Sequence, residues 1–155
     1  MTSQPPVVVP ALSEFERALA NVRQVAIETP VLHSHYLSEL VGQEVWLKCE
    51  NLQRTGAYKV RGAFNRMSKL TKEEKKMGVI AASAGNHAQG VALAAKKLGI
   101  KATVYMPFGA SLPKVAATRN YGAKVVLFGA TFAEALRAAQ EQPGNWLKQM
   151  MHSES

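Results

Sequence analysis

One lysine in this chain has a setting unlike that of the others. Lys59 lies in Thr55-Gly56-Ala57-Tyr58-Lys59-Val60-Arg61-Gly62-Ala63, where Gly56, Ala57, Gly62 and Ala63 keep bulk away from the backbone on both sides. An amine drawn into a small-residue pocket is desolvated, which disfavours its charged form, and a nearby Arg61 pushes the same way. A lysine amine in that state attacks a carbonyl and forms a Schiff base. The alternative is a solvated surface cation, the ordinary place for a lysine. A second stretch, Ser83-Ala84-Gly85-Asn86-His87, is a polar turn at the start of an apolar helical pattern. The free N–H groups of a helix start and the positive end of its dipole suit an anion. A carboxylate fits there, whereas a phosphate finds little backbone to wrap it, because the loop holds one glycine. A plain capping turn explains the loop about as well, with Asn86 as the cap and His87 as a first-turn polar residue.

The elements that would bring these stretches together can be read in order. Residues 1–10 contain three prolines and read as an extended leader, since proline is excluded from a helix interior. Leu12, Phe15, Leu19 and Val22 then fall at helical spacing, with Ser13 and Glu16 as a capping box. Thr29-Pro30 ends the next connection, and residues 37–41 form a short helix stopped by Gly42. Residues 44–49 alternate as a strand, with Val45, Leu47 and Cys49 on one face. Residues 50–56 are a loop into the Lys59 helix, where Val60, Ala63, Phe64, Met67 and Leu70 form an apolar stripe that leaves out Lys59 and Arg61. Thr71 and Glu74 make a second capping box, for a short helix closed by Gly78.

From there the pattern is regular. Strands are expected at 79–82, 101–106 and 124–128, and helices at 87–98, 111–120 and 131–141. Gly99, Pro107, Gly122 and Gly129 separate them, and Thr131 with Glu134 caps the last helix. Strand–helix repetition at this spacing implies right-handed crossovers and a parallel sheet, so the fold class is α/β, an open parallel sheet with flanking helices. Ligands of such sheets sit outside the carboxyl ends of the strands, where Ser83 to His87 lies. Residues 142–155 break the pattern: Pro143-Gly144-Asn145 reads as a turn, and Trp146, Met150 and Met151 have no partner element after them.

Composition narrows the function classes. The chain has 155 residues, 47% of them hydrophobic, enough to bury a core as one domain. No apolar run is long enough to span a bilayer, and no basic region precedes the apolar leader, so neither a membrane nor a signal peptide is expected. Cys49 is the only cysteine, which excludes an internal disulfide and a cysteine metal cluster and fits a reducing cytoplasm. The net charge of +8 permits nucleic-acid binding. The one local cluster, Lys69, Lys72, Lys75 and Lys76, is interrupted by Glu73 and Glu74 and carries no interleaved aromatics, so no nucleic-acid partner is expected.

Glu50-Asn-Leu-Gln-Arg-Thr-Gly-Ala-Tyr-Lys-Val-Arg-Gly-Ala63, followed by Ala82-Ser-Ala-Gly-Asn-His-Ala-Gln-Gly90, resembles the threonine ammonia-lyase (threonine dehydratase) family. These are fold-type II pyridoxal-phosphate enzymes, the branch that includes serine racemase and tryptophan synthase β, and the similarity runs from about residue 11 to about residue 140. The resemblance implies that residues 51–141 are the small domain of that fold. It places residues 1–50 as leader and first segment of the large domain, and 142–155 as a divergent tail. It implies pyridoxal 5'-phosphate as cofactor, held by Lys59, which then acts as the base on the substrate Cα. Tyr58 would lie beside the cofactor, and Asn86 would hydrogen-bond its phenolic oxygen. Ser83, Ala84, Gly85, Asn86 and His87 would take the substrate carboxylate. The reaction implied is conversion of L-threonine to 2-oxobutanoate and ammonia, and of L-serine to pyruvate, in isoleucine biosynthesis or threonine catabolism. Family members are homo-oligomers.

Position 84 separates activities within the resemblance. The racemases generally carry a second serine there, able to protonate the opposite face of Cα, whereas Ala84 has no transferable proton, which favours elimination. A serine racemase-like enzyme is the second reading. The family pattern usually has Ser-Phe before the lysine, and this chain has Ala57-Tyr58. Tyr58 adds a hydroxyl that needs a partner if buried. Family chains also continue well past this length, with a glycine-rich loop for the cofactor phosphate and a polar residue facing the pyridine nitrogen. Neither is found here, and phosphate binding needs several converging N–H groups. The expectation is a truncated chain with the large domain mostly missing. A non-catalytic α/β fragment that binds a small anion or a partner subunit stands as the alternative.

Overall fold

The computed structural model describes residues 9–143 and 145–146. Most of the proline-rich leader, and the stretch holding Met150 and Met151, lie outside the described residues.

The chain opens with helix α1 (Leu12–Val22), then strand β1 (Val31–His33), helix α2 (His35–Val41) and strand β2 (Trp46–Lys48). The capping box expected at Ser13 and Glu16 does not form. The helix begins one residue before Ser13, at Leu12, so the cap position falls on Ala11, whose methyl group cannot accept a hydrogen bond. Ser34 does cap α2, accepting from Leu37 N–H at 3.4 Å, and Gly42 ends it in the left-handed conformation at φ 70°. β1 has no counterpart in the sequence reading. It pairs antiparallel with β2, Val31 opposite Lys48 and His33 opposite Trp46. β2 is shorter than the alternating run suggested and exposed along its length.

A single 3-10 turn (Glu50–Leu52) leads to α3 (Lys59–Ser68) and α4 (Lys72–Met77). Strand–helix alternation follows: β3 (Val79–Ala82), α5 (Asn86–Leu98), β4 (Ala102–Met106), α6 (Leu112–Asn120), β5 (Lys124–Leu127) and α7 (Phe132–Gln140). The Thr71/Glu74 and Thr131/Glu134 capping boxes both form. A further strand, β6 (Asn145–Trp146), pairs parallel with Val79 and Ile80. The expectation that nothing after residue 141 joins the sheet is therefore corrected at these two residues. Strand order is β5-β4-β3-β6, all parallel.

The central strands β3 and β4 feed two cores, because their side chains alternate between the faces. Val79 and Ala81 of β3, with Val104 and Met106 of β4, pack under α3 and α5, where Val60, Phe64, Met67, Val91 and Ala95 are buried. Ile80 and Ala82, with Tyr105, pack against Ala135, Ala138 and Ala139 of α7. The α3 stripe is the one read from the sequence, and burial of Phe64 or Met67 contributes about 1.5–3 kcal/mol each.

Candidate active site

The carboxyl ends of β3 and β4 lie side by side, Ala82 opposite Tyr105. The chain leaves β3 there through Ser83, Ala84 and Gly85 and enters α5 at Asn86. Ser83 is buried and shaped by its surroundings: its N–H donates to Tyr105 O at 3.0 Å, and its Oγ accepts from Gly85 N–H at 3.2 Å. Gly85 occupies the cap position of α5 and supplies no side-chain acceptor to the first turn. The donors that open this helix therefore face whatever acceptor approaches the loop, and the positive end of the dipole reinforces them.

Lys59 is the first residue of α3. Gly90, one turn inside α5, is what lets the two helices meet. A Cβ at that position would lie 3.1 Å from the Lys59 carbonyl carbon and 3.1 Å from Val60 N, tighter than ordinary side-chain contacts. The start of α3 is thus laid on the first turns of α5, and Lys59 and the Ser83–His87 loop share one side of the sheet. The Lys59 amine sits 5.5 Å from the centre of the Tyr58 ring, within cation–π range. Tyr58 is 58% exposed, so its hydroxyl does not need the protein partner that burial would demand.

For His87 the sequence leaves two readings, a first-turn polar residue and a member of the loop that takes the substrate carboxylate. The structure buries it, 4% exposed, with neither ring nitrogen hydrogen-bonded among the described residues. Burial first, and the Lys59 charge second, push its pKa down to about 4. His87 is therefore neutral at pH 7, with the Lys59 charge close enough to act on it.

Arg61, placed by the sequence reading beside Lys59, makes its ion pair with a carboxylate of the preceding turn. It is turned to Glu50, donating from Nε to Oε2 and from Nη2 to Oε1, both at 2.8 Å. Thr29 Oγ1 donates to the same carboxylate at 2.6 Å. These partners, Arg61 foremost, hold Glu50 at about 2 against the pull of burial in the other direction. A cleft of about 550 Å³ opens beside this pair, lined by Tyr58, Arg61, Glu50, Lys48, Leu19 and Ile27 among others.

The five loop residues and Lys59 are thus brought to one place. The sequence missed the burial of His87, the contact made possible by Gly90, and the fastening of Arg61 by Glu50. Only the last has a local sequence signal, a carboxylate and a guanidinium within one motif.

A lysine beside uncapped helix donors fits a ligand that joins a carbonyl carbon to an anionic group. The unpartnered nitrogens of His87 add polar atoms that no described residue satisfies. That set fits the aldehyde end of pyridoxal phosphate and a substrate carboxylate. Among the described residues no glycine-rich cradle is found for its phosphate.

Comparison with known proteins agrees. The family model described as pyridoxal-phosphate dependent enzyme matches residues 22–149. L-threonine ammonia-lyase of Thermotoga maritima is 51% identical over 136 residues, covering 86% of this chain and 34% of the relative. The Geobacter sulfurreducens L-threonine ammonia-lyase is 52% identical over 133 residues, 84% of this chain and 33% of the relative. Among solved structures, processed threonine deaminase isoform 2 from Solanum lycopersicum superposes with a TM-score of 0.76 at 38% identity, covering 92% of this chain and 47% of that one. Maize serine racemase does so with 0.80 at 32% identity, covering 87% and 42%. The chain spans about a third of the length of the curated relatives it matches.

Proposed function

The chain belongs to the pyridoxal-phosphate dependent enzymes, and from that premise we propose that it supplies the lysine and the substrate-anion loop of an ammonia-lyase acting on L-threonine, with L-serine as a second substrate. The observation that carries this reading is the meeting of α3 and α5 at Gly90, which sets Lys59 next to the loop that opens α5. A single amino acid can then be held at both ends, its nitrogen toward Lys59 and its carboxylate on the loop.

Lys59 Nζ would hold the cofactor, and Asn86, at the first position of α5, would face its ring oxygen. Pyridoxal phosphate, when bound, supplies the electron sink that makes a Cα proton removable. Lys59 then takes that proton, and Ser83, Ala84, Gly85, Asn86 and His87 fix the carboxylate so that the Cα–H bond stays aligned with the amine. The β-hydroxyl would leave as water, and the resulting enamine, taking up one water as it releases ammonia, would give 2-oxobutanoate from threonine and pyruvate from serine. We read residues 51–141 as the small domain of the whole enzyme and the segment before residue 51 as part of the large one. The setting proposed is cytoplasmic, with a small amino acid as the reacting partner.

Likeness to serine racemase favours a second reading. Ala84 opposes it, because a methyl group cannot deliver a proton to the opposite face of Cα.

The test is optical. The purified chain mixed with pyridoxal phosphate should show the yellow absorbance of the lysine-bound cofactor, and Lys59→Ala should abolish it. Reduction with borohydride and peptide mapping should place the added mass on Lys59. A wild-type chain with no such band, or a band that survives Lys59→Ala, overturns the reading. Formation of a 2-oxo acid rather than the D-amino acid separates the lyase from the racemase.

A further inference from the structure

β1 and the start of α2 contribute no residue to the site around Lys59, yet they gather two of the chain's four histidines. His33 closes β1 and His35 opens α2, with only Ser34 between them. Their rings meet edge to face, with centres 4.6 Å apart and planes at 85°. The His33 ring also meets that of Trp46, its opposite residue on β2, at 5.0 Å.

What fixes His33 is a hydroxyl of α2. Ser38 Oγ lies 2.7 Å from Ser34 O, 2.9 Å from Val45 N and 3.1 Å from His33 Nε2. Two oxygens that close need a proton between them, and of this pair only the hydroxyl has one. Ser38 therefore donates to Ser34 O, and its oxygen is left to accept. Val45 N–H donates to it, and so does His33. Nε2 is thus the protonated nitrogen of the neutral His33 ring, and Nδ1 carries the lone pair. That lone pair makes no hydrogen bond to a described residue.

A ring with one nitrogen donating to oxygen and the other bare is the state in which histidine ligates a metal, because the donated bond sets both tautomer and orientation. Spacing agrees. Late first-row divalent ions hold imidazole nitrogens at about 2.0–2.1 Å, so two rings on neighbouring positions of one ion have centres roughly 4.5–5.5 Å apart. His35 is exposed and His33 half-buried, so an ion can reach the pair from solvent. Edge-to-face packing accounts for His33 against Trp46. It does not call for an oriented lone pair beside a second, exposed imidazole.

We propose that His33 and His35 bind one late first-row divalent cation of the Zn²⁺ and Ni²⁺ kind, with Ser38 as the positioning residue. Imidazole nitrogen selects such ions over Mg²⁺ and Ca²⁺, which take oxygen. Among the described residues no third histidine, cysteine, aspartate or glutamate is gathered with the pair. Water completes the coordination, and the ion staples the end of β1 to the start of α2.

Ni²⁺ tests this, titrated into the full chain while tryptophan fluorescence is followed, because an open-shell ion held by His33 quenches the adjacent Trp46. Saturable quenching at one ion per chain is expected, reversed by excess Zn²⁺ and not produced by Mg²⁺ at the same concentration. His35→Ala should weaken Ni²⁺ binding at least tenfold. Ser38→Ala should weaken it roughly tenfold, and Ser38→Thr, which keeps the hydroxyl, should restore most of the loss. His152→Ala changes a histidine outside the described residues and should leave binding within about twofold. Ni²⁺ should also raise the urea midpoint of the wild type and not that of His35→Ala. Circular dichroism confirms that each variant is folded. Should a variant fail to fold, the wild type decides: Zn²⁺ should protect His35, and not His152, from diethyl pyrocarbonate, read by peptide mass spectrometry. No saturable quenching, unchanged affinity in His35→Ala or Ser38→Ala, an equal loss in His152→Ala, an equal effect of Mg²⁺, or no protection of His35 each overturns the proposal.

Discussion

Two regions of this molecule are held by different forces. The sheet and its helices, from about residue 53 to residue 141, are held by buried apolar surface: Val60, Ala63, Met67, Val91, Val104 and Met106 have no exposure at all. The segment before them buries Val22 and Val25, while Leu12, Phe15, Tyr36, Leu40 and Trp46 stand more than half exposed. What fastens that segment is polar. Gln53 clamps Ile27 on both sides, its Oε1 accepting from the backbone N–H and its Nε2 donating to the carbonyl, each at 2.9 Å. Arg54 Nε donates to Val25 O at 2.7 Å, and Asn21 meets Asn65 at 3.2 Å. The candidate site lies where the two regions join, with Lys59 on the apolar frame and Arg61 in the polar fastening. Function at such a seam depends on both forces, and each can be removed separately.

The largest separation should come from matched side-chain losses. Met67→Ala empties fully buried volume and should cost about 2–5 kcal/mol. Phe15→Gln removes an aromatic ring of similar bulk from α1, where it is 57% exposed, and should stay within about 0.5 kcal/mol of neutral. Urea unfolding of both variants decides it, and equal losses would erase the distinction between the regions.

Sequence patterns recovered the apolar frame better than the fastening, for a physical reason. The α3 stripe and the Thr71/Glu74 and Thr131/Glu134 boxes are set by neighbours within one or two turns, so local spacing carries them. The Ser13/Glu16 pattern had the same spacing and failed, because the helix had already begun at Leu12. β1 and β6 are three and two residues long and exist through pairing with distant partners, Val31 with Lys48 and Asn145 with Val79. No local signal announces them. Lys59 and the Ser83–His87 loop were legible as separate motifs. That they adjoin, and that His87 is buried, follows from how α3 lies on α5 at Gly90, which is a matter of tertiary packing.

His87 gives the next largest effect, and it reads the apolar side of the seam. Its folded pKa, about 4, lies below the ordinary histidine value of 6.5. The unfolded chain therefore binds the proton first as pH falls, and stability declines between pH 6.5 and about 4, levelling off below that. The loss across that window is about 3 kcal/mol. His87→Leu should flatten the decline, measured as urea midpoints against pH. A slope that persists in the variant would place the titrating group elsewhere.

The smallest effect reads the polar side. Glu50, partly open to solvent, bridges Thr29 of the early segment to Arg61 of α3. Solvent screening limits such a pair, so Glu50→Gln should cost about 1–2 kcal/mol at pH 7. The sign of its pH dependence differs in window from that of His87. A carboxylate whose folded pKa is held at about 2, against 4.5 unperturbed, contributes fully above pH 4.5 and loses that contribution as pH falls toward 2. The gap between wild type and Glu50→Gln should therefore stay constant from pH 7 to about 5, where the His87 decline is already under way, and close only below that. If the gap closes in step with the His87 decline, the two regions titrate as one unit and the seam between them is not a boundary between forces.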